Sequence, residues 1–274
     1  MLITHKLKQL IMITLVVASV VSASVATASQ FHAELLKAAD TKANGKYVRT
    51  RFLNIIKKPF DSGGKKKALI IGDSHAQDFL NSVIESGYLQ DYQLRTRYIP
   101  AHCQIYLGEN AEQFIKRKDK SLCKKSDNLS QAKTQIGEAN LIFLVANWKE
   151  WAAKALPQTI NNLELTSQQK LFVIGRKHFG KISIRNYLRL PAGELRSLRN
   201  KVDVQQTTIN NIMSKNLSKN VFVDLQGLVC GSSGRCPVFT NNLKLISFDG
   251  GHLTKDGAQY VGKILFQNSI LANL

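Results

Sequence analysis

Five short apolar runs recur along the chain, at residues 68–71, 94–99, 141–145, 171–174 and 221–225. Between them, apolar residues return every three or four positions, the spacing of a helix with one buried face. Phe79, Leu80, Val83 and Ile84 form one such face, and Leu195, Leu198, Val202, Ile209 and Ile212 form a longer one. Ala258, Val261, Ile264 and Leu265 form the last, with Thr254 placed to cap its helix. Four of the apolar runs are almost unbroken, as expected of strands covered on both faces. The second alternates Leu94, Thr96 and Tyr98 with Arg95 and Arg97, which predicts an edge strand. Strands alternating with helices predict an α/β fold, a mostly parallel five-stranded sheet with helices on both sides. No internal repeat interrupts this pattern.

Two stretches precede it. Residues 1–28 begin with Lys6 and Lys8, continue through an apolar run at 10–21 and end on Ala26-Thr27-Ala28. That order predicts a secretory signal peptide, with an uncleaved N-terminal anchor as the alternative. Residues 29–66 read as a basic lead-in, with Phe31, Leu35 and Leu36 on one helical face, closing on a glycine- and lysine-rich break before the domain at 67–274. Export predicts a periplasmic or secreted protein.

Charge and cysteine content gain meaning from export. The formal charge is +19, or +17 without the two lysines of residues 1–28. Outside the cytoplasm this excess argues against nucleic acid as partner. It favours an anionic envelope polymer or lipid headgroup, the alternative being a diffuse, solvated surface. Cys103, Cys123, Cys230 and Cys236 form an even set, which predicts two disulfides. Of the three connectivities, the local one, Cys103–Cys123 with Cys230–Cys236, is expected. No Cys-x-x-Cys pair points to a metal, and no cofactor is expected.

The first apolar run ends abruptly at Gly72-Asp73-Ser74. A strand-to-helix turn there exposes the Ser74 hydroxyl and leaves helix-terminal N–H groups free to face an oxyanion. Serine needs a base, and Asp249-Gly250-Gly251-His252 offers an imidazole with a carboxylate three residues away. Each motif alone also reads as an ordinary turn. Together they predict Ser74 as nucleophile, His252 as base and Asp249 as its orienting partner. Asn147, after the third strand, is a candidate oxyanion donor, or else a strand-end residue satisfying backbone groups. Trp148 and Trp151 offer ring faces to a sugar acceptor, or pack in the core. His75 is a candidate for substrate contact, with its N–H a further oxyanion donor. The basic loop Gly175-Arg176-Lys177-His178-Phe179-Gly180 reads as solvated, and His102 and His32 have no assigned partner.

These residues resemble the SGNH family of serine hydrolases and acyltransferases. More closely, they resemble the SGNH domain attached to membrane acyltransferases that O-acetylate bacterial surface polysaccharides. The resemblance rests on Leu69-Ile70-Ile71-Gly72-Asp73-Ser74-His75-Ala76, on Asp249-Gly250-Gly251-His252-Leu253-Thr254 and on Gly257-Ala258. Leu228-Val229-Cys230 and Cys236-Pro237-Val238 are similar to a cysteine-flanked loop of that branch. It spans about residues 67–270 and implies a three-layer, flavodoxin-like α/β/α fold. It also implies an oxyanion hole made by the Ser74 N–H, a glycine N–H and the Asn147 amide, with Gly108 as the candidate glycine. The family's Gly-x-Asn-Asp block reads Val145-Ala146-Asn147-Trp148 here.

The expected function is therefore an exported O-acyl, in the first instance acetyl, esterase or O-acyltransferase acting on an envelope polysaccharide or glycolipid. The branch carries a membrane acyltransferase, so the chain is expected either to work alone or to take acyl groups from a separate membrane acyltransferase. The alternative is a weakly active or inactive SGNH-fold module that binds anionic glycan or lipid. A lysophospholipase-like esterase is a third reading.

Overall fold

The computed structural model describes residues 29–274; the expected signal peptide lies outside the described residues. The central sheet has five parallel strands: β1 (Lys66–Gly72), β2 (Tyr92–Tyr98), β3 (Leu141–Val145), β4 (Lys170–Ile174) and β5 (Phe222–Val223). Their order is β2-β1-β3-β4-β5. β1 is thus flanked on both sides, pairing Gly72 with Tyr98 on β2 and with Val145 on β3. The carboxyl ends of three strands therefore converge where β1 delivers Ser74.

Alternate residues of the strands face opposite layers. Ala68, Ile70, Phe143 and Ile174 pack with helices α2 (Ser74–Glu85) and α7 (Lys255–Asn268). Leu69, Ile71, Ile142, Leu144 and Val173 pack on the other face against α3 (Leu129–Glu138), α4 (Glu150–Asn161) and α5 (Val204–Asn216). This is the expected three-layer arrangement. Thr254 caps α7 by accepting from the Gly257 N–H at 3.0 Å.

The lead-in is folded onto this domain. Helix α1 (Thr41–Asn54) packs on α2, with Phe52 fully buried in the core. The chain leaving α1 covers the sheet edge: Lys57 N–H donates to Thr96 O at 2.9 Å, and Thr96 Oγ1 donates to Phe52 O at 2.7 Å. β2 is an edge strand by pairing, and the chain leaving α1 covers that edge at Thr96. Of the two arginines in its alternating pattern, Arg97 is buried and ion-paired with Asp127 at 3.0 Å.

The long apolar face at 195–212 is not one helix. Helix Ala192–Ser197 gives way to strand Arg199–Lys201, which pairs antiparallel with Arg235–Pro237. Asp203 then caps α5, accepting from the Gln205 N–H at 2.9 Å. The run at 221–225 is also cut short, because Asp224 caps α6 (Leu225–Cys230). In each case a capping aspartate starts the helix that follows the break. A satellite cluster of Leu35, Tyr187, Leu195, Val238, Phe239 and Leu245 joins residues 29–38 to this region. Within that face Leu35 is buried and Leu36 exposed. The disulfides join Cys103 to Cys123 and Cys230 to Cys236. Among the described residues, no helix is long and apolar enough to cross a membrane.

Candidate active site

The Ser74 turn is sterically constrained. Gly72 has φ +155°, and a Cβ there would lie 1.7 Å from the Val145 carbonyl oxygen. Only glycine lets β1 and β3 approach this closely before the chain turns into α2. Asp73 is the N-cap: one carboxylate oxygen accepts from the His75 N–H and the other from the Asn147 N–H, both at 2.8 Å. One buried side chain thereby fixes the start of α2 and the residue following β3. Burial raises Asp73 to about 6 against the pull of these two N–H groups and of nearby positive charge.

Ser74 is the first residue of α2, so its own N–H has no intrahelical acceptor. Its Oγ lies 2.9 Å from His252 Nε2, across 178 residues of sequence. His252 Nδ1 lies 2.7 Å from Asp249 Oδ2. The other Asp249 oxygen accepts from the Gly251 and His252 N–H groups, at 2.8 and 2.7 Å. Burial pushes the Asp249 carboxyl up, but the bonds from His252 and Gly251 and the His252 charge outweigh it and hold the group at about 2. An ionised Asp249 places the proton of a neutral His252 on Nδ1 and leaves Nε2 free to accept from Ser74.

The loop carrying His252 is held from below. Gly250 has φ +91° and a Cβ there would meet the Gly180 carbonyl at 2.2 Å, while its own carbonyl accepts from the Phe179 N–H at 2.7 Å. Ser247 Oγ donates to His252 O at 2.6 Å. The ammonium of Lys177 bonds the Gly251 carbonyl and lies 2.6 Å from Asp78 Oδ2. Asp78 in turn accepts from the Leu253 N–H at 3.2 Å. Both ionic side chains are buried, and burial pushes the Asp78 carboxyl up against the pull of Lys177. The loop at 175–180 is therefore not solvated as expected: Lys177 and Phe179 are buried and His178 is half-buried. Burial, helped by Lys177 and Arg176, pushes His178 down.

A cleft of about 550 Å³ opens on Ser74 and His252. Its floor and one wall come from Gln77, Tyr98, Phe248 and Asp249, and the opposite wall is α1, through Thr41, Gly45, Val48, Arg49 and Leu53. The sequence pattern gave no hint of this wall, because α1 has no strong apolar stripe and reads as a basic tether. Lys177 and Asp78 were missed as well. The available signal was that Asp78 lies four residues after Ser74, on the same face of α2.

The remaining sequence candidates fall in different places. Asn147 stands beside Asp73; among the described residues its side-chain amide donates to no group, and its Oδ1 is buried without a partner. Trp148, expected as a substrate contact, is fully buried, with Nε1 donating to Ile174 O at 2.9 Å. Its indole joins the ends of β3 and β4. His75 is also buried and cannot present its ring to substrate; burial pushes it well below the usual histidine range. Its N–H is taken by Asp73, which removes it as an oxyanion donor. Gly108 lines a separate cavity with Leu129 and Asn162. Its neighbour Leu107 is bonded to Thr159 and Asn162, at the end of α4 far from the strands' carboxyl edge. That position excludes Gly108 from the oxyanion site. His102 is exposed, 3.4 Å from Asp119, and His32 is exposed. Among the described residues, no group of three or more His, Cys, Asp or Glu is placed to hold a metal ion.

No curated protein sequence matches the chain. Among solved structures, it is similar to the periplasmic domain of a lipopolysaccharide acetyltransferase from Salmonella ser. Paratyphi A. The TM-score is 0.58 at 17% identity, over 88% of this chain and 99% of that one. At that identity the likeness speaks for the fold. The sequence itself matches a family model over residues 39–267, a span that takes in α1, the Ser74 turn and the His252 loop. The chain belongs to the SGNH family, in the branch described as the SGNH domain fused to AT3 domains.

Proposed function

We propose that the protein is an exported, serine-dependent O-acyl esterase or O-acyltransferase that acts on a cell-envelope glycan. The observation that carries this reading is the His252 ring, which lies within hydrogen-bonding distance of Ser74 Oγ on one side and Asp249 on the other. Ser74 Oγ attacks the acyl carbonyl carbon while His252 Nε2 takes the hydroxyl proton. Asp249 stabilises the resulting imidazolium. The Ser74 N–H and the Asn147 amide donate to the oxyanion. The acyl C–O bond then breaks, and His252 returns the proton to the leaving oxygen. Water or a sugar hydroxyl attacks the acyl-Ser74 carbonyl carbon as its proton goes to His252; the acyl–Oγ bond then breaks and His252 returns that proton to Ser74 Oγ. The two outcomes share every protein group and differ in how well the cleft excludes water from the acyl-enzyme.

Three observations support the setting. Two disulfides suit an oxidising compartment. The apolar start of the chain suits export. The likeness to a lipopolysaccharide acetyltransferase domain and the family's association with AT3 domains favour a glycan acceptor and a membrane acyltransferase as the source of acyl groups.

A fluorophosphonate probe tests the mechanism. Intact mass should rise by one probe adduct in the wild type and stay unchanged in Ser74→Ala, with hydrolysis of p-nitrophenyl acetate lost in parallel. A wild type that takes no label, or a Ser74→Ala variant that hydrolyses at the same rate, overturns it.

A further inference from the structure

The disulfide Cys103–Cys123 closes a loop whose basic residues are left without partners. Its end and the following turn read Lys116-Arg117-Lys118-Asp119-Lys120-Ser121-Leu122-Cys123-Lys124-Lys125. All six cations are exposed, and among the described residues none lies within 4.0 Å of a carboxylate. The single acid of the run, Asp119, is buried and turned toward His102. Lys149 adds to this field from the start of α4: its ammonium donates to the His102 carbonyl at 3.2 Å, and burial together with Lys116 and Lys118 lowers its pKa despite Asp119. Like charges gathered this way repel one another unless an anion is bound among them.

Aromatic rings stand beside the cations. Phe114 stacks on Trp151 at 4.9 Å with the rings 9° from parallel, and Tyr106 meets both edge-on, at 6.0 and 5.8 Å. Phe114 is 40% exposed. The rings support one another as a wall instead of projecting singly, and a supported ring face suits the C–H face of a sugar. This wall is tied to Asn147 by hydrogen bonds through Gln104. Gln104, held between the disulfide and the wall, donates to the Asn147 carbonyl at 3.1 Å and accepts from the Lys149 N–H at 2.8 Å. Trp151 lies two residues further along. The rings and the unpaired cations are thus linked to Asn147 through Gln104 and the start of α4.

We infer that the disulfide-closed loop and the Tyr106–Phe114–Trp151 wall form a subsite for an acidic glycan, whose carboxylate or phosphate groups meet Lys116, Arg117, Lys118 and Lys149 while a sugar ring lies on Phe114. The subsite rests on the proposed function in one respect, that the bound polymer is the acceptor for the acyl group of Ser74.

Binding of the whole protein to polygalacturonate, to neutral dextran and to phosphatidylglycerol vesicles tests this at several salt concentrations. Wild type should bind polygalacturonate, with affinity falling as salt rises, and should ignore dextran. The triple change Lys116→Gln, Arg117→Gln and Lys118→Gln should weaken binding by about tenfold or more and flatten the salt dependence. Phe114→Ala should weaken it by about threefold and leave the salt dependence unchanged. Both variants should hydrolyse p-nitrophenyl acetate at the wild-type rate. Equal binding by wild type and both variants overturns the subsite, as does equal binding of dextran or binding to the vesicles alone. Ser74→Ala should bind the polymer as wild type does. A wild type that takes no fluorophosphonate label but binds the polymer therefore removes the enzyme reading and leaves the subsite standing.

Discussion

Lys177 and Asp78 face each other at 2.6 Å beneath the candidate active site, both removed from solvent. Asp78 belongs to the helix that Ser74 begins, and Lys177 holds the carbonyl of Gly251, next to His252. The pair therefore links the nucleophile's helix to the base's loop. Removing one partner leaves a buried charge uncompensated, which typically costs about 3–5 kcal/mol. Lys177→Met should lower stability to urea by that order. Where the variant remains folded, kcat for a small ester should fall with little change in KM, because Lys177 acts by positioning His252 and not by touching substrate. The double change Asp78→Asn with Lys177→Met should recover part of the stability. A single variant as stable and as active as wild type would show that the pair holds nothing in place.

Asp249→Asn separates orientation from architecture. The substituted side chain keeps an oxygen for the Gly251 and His252 N–H groups but presents N–H to His252 Nδ1. The ring must then carry its proton on Nε2, facing Ser74, where it cannot act as base. Activity should drop by about 10³–10⁴-fold while the fold is retained, with the stability that the ionised carboxylate contributes at neutral pH lost. Wild-type Asp249 sits at about 2 in the folded protein, below its ordinary value of 3.8. Its contribution to stability is thus present above pH 4 and is lost as pH falls through about 2. Denaturation curves of the two proteins should converge in that acid window and differ little in shape above it.

The sheet and the pairing of Ser74 with His252 were legible in the sequence because both rest on local signals. An apolar run broken by Gly72-Asp73-Ser74 marks a buried strand feeding a helix, and Thr254 marks the helix that follows the base. What stayed hidden depends on contacts between distant segments. Nothing local distinguishes buried Lys177 from the exposed lysines around it, because its burial is set by Asp78, ninety-nine residues away. Trp148 and Trp151 are equally aromatic, but a register difference of three residues puts one inside at the end of β3 and the other on the surface of α4. Asp203 and Asp224 start new helices inside apolar patterns that read as continuous, because their side chains cap the N–H groups that follow. The resemblance likewise offered Gly108 by region alone, and the bonds of Leu107 to the far end of α4 place it elsewhere.

Asp73 couples folding to pH in the sense opposite to Asp249. Burial raises its carboxyl to about 6 from an ordinary 3.8. Between those values the folded protein holds a proton that the unfolded chain has released. The associated stability is complete below about pH 4 and is lost as pH rises through about 6, by roughly 3 kcal/mol in all. Asp73→Asn cannot titrate and should lack this slope. Comparing urea midpoints of the two proteins from pH 4 to pH 7 isolates it. Parallel curves across that range would mean that the N–H groups of His75 and Asn147 stabilise the carboxylate enough to cancel its burial.

Asn147→Ala tests the oxyanion role at little structural cost. The backbone N–H of Asn147 makes the bond to Asp73 and survives the substitution, whereas its side-chain amide donates to no group among the described residues. A role confined to structure therefore predicts almost no change. A role as donor to the oxyanion predicts a loss of about 10²–10³-fold in kcat, with KM nearly unchanged, since the bond tightens only as negative charge develops. Labelling by a fluorophosphonate should slow in the same proportion, because the phosphoryl oxygen occupies the same position. Wild-type kinetics in Asn147→Ala would assign the oxyanion to backbone N–H groups alone, with that of Ser74 the first to consider.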